Sequence, residues 1–336
     1  MKKRTRILAT VLAASVITAG LAVPVAAADI TVGWYAPLVH SFFENVKSGV
    51  EAYSEEHGID VEYVYGSAET QAAENEKLEA LAGKGVKDFL VYPMDQDAAN
   101  GLYDELSANG CNIVNYAADT NQPTEASFFV GVDVYNRCYK QIETLFDMMG
   151  KKGNLLIVLE ALESPNTQLA KQAYEDALKE YPDITLLQEC AGMNTVETAT
   201  TKIQDALSAN YGKIDGIVAY GTTCSAALSS LMGEYYENGA DRVQVMLTDT
   251  EPEVLEAIKA GDIDATISQP MFAYGYIGCA LLQYMWEGYV PKEDVYSIDF
   301  DSVIVTSENV DSFSEDEYNL TIDLYDRLTT DYLVKE

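Results

Sequence analysis

From Ile30 to about residue 287, short runs of β-branched and aromatic residues alternate with stretches whose apolar residues recur at helical spacing. Ile30 to Tyr35 reads as a strand, and Phe43, Val46, Val50 and Tyr53 then mark one helix face that Gly58 brings to a stop. The unit repeats with strands at Ile59 to Tyr65, Phe89 to Tyr92 and Asn112 to Tyr116, each separated from the next by a helical pattern. After a junction at Gly131 to Asp133 the rhythm restarts, with strands near residues 154–160, 185–190, 216–220, 243–249 and 264–269. Strands joined by helices must run mostly parallel, with right-handed crossovers and helices on both faces. The expected fold is therefore α/β: two doubly wound parallel-sheet, Rossmann-like lobes. No low-complexity linker separates the two series, so short crossing segments should join them, and a cleft is expected where the C-terminal ends of both sheets meet.

The N-terminal residues point to export. Lys2, Lys3, Arg4 and Arg6 precede an apolar stretch from Ile7 to Val23, and Ala26-Ala27-Ala28 supplies the small residues of a cleavage site. Residues 1–28 are read as a signal peptide and the protein as exported, to the periplasm or cell exterior. The stretch is broken by Thr10, Ser15, Thr18, Gly20 and Pro24 and is short for a bilayer span. No Cys stands at the cleavage site to take a lipid.

The formal charge is −33, and removing the four basic residues of the signal makes it more negative. Such a chain offers no basic face for phosphates, which excludes nucleic acid as a partner, and the acidity fits a solvated, soluble surface. Five cysteines, Cys111, Cys138, Cys190, Cys224 and Cys279, lie far apart without C-x-x-C or Cys/His spacing. They read as buried small hydrophobes rather than a disulfide framework or metal site. No nucleophile elbow, Walker loop, dinucleotide fingerprint or clustered metal ligands occur, and of the two histidines His57 sits beside a helix-ending Gly. A non-enzymatic protein with no cofactor and no metal is expected.

Several segments are familiar in order along the chain: His40-Ser41-Phe42-Phe43, Val91 to Asp95, Gly131-Val132-Asp133, Leu247 to Thr250, Ala265 to Gln269 and Val303 to Val310. Together they resemble the ribose/galactose branch of type I periplasmic binding proteins. The resemblance implies two lobes joined by a three-segment hinge that close on a sugar and deliver it to an ABC transporter permease, the receptor being a monomer. The two series of α/β units place one lobe at residues 29–131 plus 270–299, the other at 132–269 plus 300–312, and leave 313–336 as an acidic C-terminal extension. The resemblance maps ring-stacking aromatics onto Phe42 and Phe43, the latter equally a core residue of its helix. A polar residue ahead of them falls on His40, and a carboxylate and an amide on Asp249 and Gln269.

Departures from the family pattern bear on the ligand. An Asp-Arg pair falls on Ala117-Ala118, an Arg near Ala170 and an Asn on Gly221. Asp119 could replace the missing carboxylate, while Tyr35, Tyr92 and Tyr220, with Trp34 and Tyr116, stand at strand ends that should face the cleft. The expected pocket is more aromatic and poorer in Arg than a ribose site. A sugar, a less hydroxylated sugar, a nucleoside-like ring or a cation would each suit it. A receptor presenting such a ligand to a sensor kinase or chemoreceptor would share this sequence pattern.

Overall fold

The computed structural model describes residues 30–335, so the expected signal peptide at 1–28 lies outside the described residues. The chain opens with β1 (Thr31–Ala36), α1 (Ser41–His57), β2 (Asp60–Tyr65), α2 (Gln71–Gly83), β3 (Asp88–Val91), α3 (Ala99–Ala108), β4 (Asn112–Tyr116) and β5 (Phe128–Gly131). A second series comprises α4 (Val134–Met148), β6 (Gly153–Leu159), α5 (Pro165–Glu180), β7 (Ile184–Cys190), α6 (Val196–Ala209) and β8 (Gly216–Tyr220). It continues through α7 (Thr222–Glu237), β9 (Gln244–Thr248), α8 (Pro252–Ala260) and β10 (Ala265–Ile267). The chain then adds α9 (Met271–Trp286), β11 (Tyr289–Pro291), β12 (Ser297–Asp299), β13 (Ile304–Thr306), α10 (Phe313–Arg327), a π-helical turn at Leu328–Tyr332, and β14 (Leu333–Lys335).

The two series form two six-stranded sheets with matching orders, β2-β1-β3-β4-β5-β12 and β7-β6-β8-β9-β10-β13. All of their pairings are parallel except β13 against β10. In such an order the connections reverse direction beside the first strand of each lobe, and the C-terminal strand ends there open a crevice. The polypeptide passes between the sheets from β5 to α4, from β10 to α9 and from β12 to β13. Phe128–Gly131, of which the sequence pattern places only Gly131, in the junction, is a paired strand of the first sheet.

Strand pleat assigns each lobe's side chains to two cores. In β1, Val32, Trp34 and Ala36 face α1 and α9, whereas Tyr35 faces the opposite cluster with Leu78, Leu102 and Tyr103. α9 is apolar on nearly every side because it is covered on nearly every side. It lies against α1 at a close crossing, where a Cβ added to Gly49 would stand 1.9 Å from the carbonyl oxygen of Phe272 and one on Gly275 would stand 2.0 Å from that of Val46.

The acidic segment 313–336 is not an appendage. Leu324, Leu328 and Leu333 are buried in the same core as Val46 and Ile277, and β14 pairs antiparallel with β11. At the other end of α10, Phe313 packs on the core of the second lobe. Glu315, Asp316, Asp323, Asp326 and Asp331 are exposed and Glu317 is partly buried, while the apolar face of the segment completes the first lobe.

The α1–α9 crossing generates a stability prediction. Gly275→Ala forces a methyl group against the α1 backbone and is expected to destabilise the protein by about 1 to 3 kcal/mol. A urea unfolding midpoint equal to that of the unaltered protein would show that the two helices separate freely.

Candidate binding cleft

A cavity of about 650 Å³ opens between the lobes, within the usual range for small-molecule sites. Every element that contributes to it does so from the C-terminal end of a strand or the start of the following helix. After β1 come Leu38, His40, Phe42 and Phe43; after β3 comes Tyr92, after β6 Glu160, after β9 Asp249 and after β10 Gln269.

His40 is the N-cap of α1, its Nδ1 accepting from the Phe42 amide at 3.2 Å. The cap fixes the first turn, so that Phe42 is half-buried at the cavity wall while Phe43, also lining the cavity, turns into the core. Phe43 meets Phe42 and Tyr92 edge to face, each with ring centroids 5.1 Å apart. The Tyr92 ring leans in turn on Tyr116, whose hydroxyl donates to the Tyr35 carbonyl at 2.8 Å. The aromatic wall is thus continuous with the lobe-one core and has little freedom to rearrange.

The loop after Tyr92 is held from behind. Glu74 of α2, fully buried, accepts from the Met94 amide at 2.7 Å, and the Gln71 side chain accepts from Asp95 N at 3.1 Å. Burial pushes the Glu74 carboxyl up to about 7, against the lowering effect of the Met94 bond.

On the second lobe, Asp249 follows β9 with a left-handed φ of 68°, a conformation that Asp tolerates better than most residues. Its Oδ1 accepts from Arg137 Nη2 at 2.6 Å and its Oδ2 from the Thr222 hydroxyl at 3.1 Å. Arg137, on the first turn of α4, is only 6% exposed and also donates to the carbonyls of Ser268 and Ile267. Burial works against its charge, but the adjacent Asp249 carboxylate prevails and keeps the guanidinium protonated more firmly than in water.

Glu160 has a related structural task. The N-cap position of α7 is Gly221, which has no side chain to cap with, and Glu160 Oε1 instead accepts from Thr223 N at 2.7 Å. A Cβ at position 221 would lie 2.0 Å from the Glu160 carboxyl carbon, so the glycine makes room for this substitute cap. Burial and the nearby Asp249 both raise the Glu160 pKa, partly offset by the Thr223 bonds.

The cavity therefore brings together His40, Phe42, Phe43, Tyr92, Asp249 and Gln269. Three other expected residues lie elsewhere. Tyr35 is fully buried beneath α2 and α3, because the pleat that turns Trp34 toward α1 turns its neighbour away. Asp119 points at Tyr296, accepting from its hydroxyl at 2.5 Å and from Thr120 N at 2.7 Å, so it does not replace the missing cleft carboxylate. Tyr220 packs into the cluster under α4 and α5 and is not part of the cavity lining. Trp34 and Tyr116 likewise belong to the core. Sequence reasoning missed Glu160, Glu251 and Arg137. The first stands at a strand end and was open to the argument applied to the tyrosines, whereas the burial of Arg137 depends on a partner 112 residues away.

Residues 35–289 match the model of a family described as periplasmic binding protein domain. A xylitol-binding protein of Mycolicibacterium smegmatis is 25% identical over 274 residues, covering 81% of this chain and 75% of the relative. The D-xylose-binding periplasmic protein of Escherichia coli is 22% identical over 242 residues, covering 70% and 71%. Among solved structures, a sugar-binding protein of a sugar ABC transporter from Bacillus halodurans superposes with a TM-score of 0.75 at 18% identity, covering 84% of this chain and 98% of that one. An arabinose binding protein from Geobacillus stearothermophilus gives 0.74 at 17% identity with the same coverage. At these identities the structural likeness speaks for the fold.

Two predictions come from this geometry. Arg137→Met leaves Asp249 buried without its cation and is expected to cost about 3 to 5 kcal/mol of stability. Adding Asp249→Asn should return part of it, and a loss under about 1 kcal/mol in the single variant by chemical denaturation would contradict the pairing. For Glu74 the folded pKa lies above the ordinary carboxylate value, so the fold favours the protonated form. Its contribution is complete below that ordinary value of 4.5 and declines as pH rises through about 7. Glu74→Gln should flatten the fall of Tm between about pH 5 and 8, and parallel Tm profiles for the two proteins would refute the assignment.

Proposed function

This chain belongs to the periplasmic binding protein family, and on that premise we propose that it is an exported receptor that captures a sugar or sugar-like polyol between its lobes for an ABC transporter. The observation that carries the reading is the interlobe cavity, walled on one side by Phe42, Phe43 and Tyr92 and on the other by Asp249 and Gln269. An aromatic face suits the C–H face of a pyranose or pentose ring, while carboxylate and amide oxygens accept from its hydroxyls. Relatives described as binding xylitol and D-xylose support a ligand of this size and polarity.

The mechanism needs no bond to be made or broken. Lobe one offers the aromatic wall and lobe two the polar groups, so a ligand touches both sets fully only when the lobes approach. Binding then shifts the population toward a closed form, with the three sheet-to-sheet passages absorbing the change in backbone angles. The closed form is the one presented to a permease. None of the residues lining the cavity is asked to act as nucleophile or general base, and the protein is read as a binding protein rather than an enzyme.

Mass spectrometry of small molecules that co-purify with the protein is expected to reveal a polyol or sugar, and solution scattering should give a smaller radius of gyration once that molecule is added at saturation. Phe42→Ala should weaken its binding by about 1 to 2 kcal/mol, roughly five- to thirtyfold in Kd, by calorimetry. Identical scattering curves with and without a ligand whose binding is independently confirmed would reject closure.

A further inference from the structure

The charge of the cleft is one-sided. Five carboxylates line it, Glu69 from the first lobe and Glu160, Asp249, Glu251 and Glu253 from the second, and no Lys or Arg side chain is among the lining residues. His40 is the single lining group that can carry a positive charge, and its Nδ1 is engaged as a cap. Arg137, the basic group beside the cleft, is absent from its lining and donates through Nε and Nη2 to Asp249 and to the carbonyls of Ser268 and Ile267. A neutral sugar needs donors from its site as well as acceptors, because each hydroxyl both gives and takes a hydrogen bond. Neutral donors are present in Asn166, Gln269, Thr222, Thr223 and Tyr92, but the charged groups of the lining, His40 aside, are all acceptors.

Resting on the reading of the cleft as a sugar-type site, we infer that its ligand carries a positive charge: a protonated amine borne on a sugar or alditol frame. The ammonium supplies three donors and no acceptor, which matches the walls. Its charge also relieves carboxylates that repel one another. Burial first and then Asp249 raise the Glu160 pKa, and burial, Asp249 and Glu253 raise that of Glu251 against a smaller lowering by His40, so these carboxylates sit close enough to disfavour one another's charge. The aromatic wall fits the same ligand, since Phe and Tyr faces attract a cation as well as a C–H surface. A bare metal ion fits poorly. Among the described residues no group of three or more His, Cys, Asp or Glu stands close enough to hold one, and a 650 Å³ cavity asks for a larger occupant.

Structure and charge can be separated by matched pairs. Calorimetric titrations of the full-length mature protein would compare neutral hexoses, pentoses and alditols with their amino-deoxy counterparts, D-glucose with D-glucosamine and sorbitol with glucamine among them, and with the N-acetyl forms. The expected result is at least one amine that binds tenfold or more tighter than both its neutral and N-acetyl partners. In Glu251→Gln, whose folding is checked by an unchanged Tm, that margin should shrink at least threefold. A neutral sugar that binds as tightly as its amine, or an amine preference untouched by Glu251→Gln, overturns the inference and leaves sugar capture standing. Binding by no compound of either set overturns both.

Discussion

The second lobe's share of the cleft depends on one buried ion pair. Arg137 reaches from α4, the first helix after the chain enters this lobe, to Asp249 at the end of β9, and its remaining donors hold the carbonyls of Ile267 and Ser268 where β10 gives way to the passage back. Three segments far apart in sequence are thereby fixed to one planar group. Taking both charges out of water is costly, and a pair of this kind contributes less to net stability than to the geometry it enforces. What it enforces here is the left-handed turn at Asp249, which sets the carboxylate between Thr222 and the cavity. Around it Gln141 donates to the carbonyls of Ala219 and Leu247, and Thr248 donates to Ala219, so the strand ends under the site have few unmet polar groups.

The first lobe solves the same placement problem with packing. Its fourth strand also ends in a left-handed residue, Ala117 at φ 60°, at the position equivalent to Asp249 in the matching strand order. There the neighbour is the aromatic series of Phe43, Tyr92 and Tyr116 rather than a charge. One lobe therefore presents a stiff apolar face and the other a polar face whose acceptors are aimed by hydrogen bonds. A ligand with one apolar side and several donors satisfies both at once.

Much of this was readable in the amino-acid order because periodicity reports which face of an element is buried. The alternation of strands and helices located nearly all the major elements and the cleft, since loops at parallel-strand ends must gather at one edge. Tyr92 was found as a strand-end residue by that rule, whereas His40, Phe42, Asp249 and Gln269 came from the resemblance to the ribose/galactose branch. The rule failed for Tyr35 and Tyr220 because a strand end has two faces, and sequence position does not say which one a side chain takes. It failed for Asp119 because a partner 177 residues away, Tyr296, claims the carboxylate. Arg137 was invisible for the same reason: a basic residue on a helix reads as solvated until the element that buries it is in place.

The C-terminal segment shows the complementary limit. Its acidic residues gave it the look of a solvated extension, yet α10 carries Phe313 at one end against the second lobe's core and Leu324 and Leu328 at the other in the first lobe's core. It is a fourth connection between lobes, made by packing after the three backbone passages. Passages formed by backbone alone resist rotation weakly, since a few dihedral angles absorb it. A helix buried at both ends resists more, because its apolar side chains must stay covered as the lobes turn. Rotation that keeps Phe313 and Leu324 buried must pivot near α10 itself.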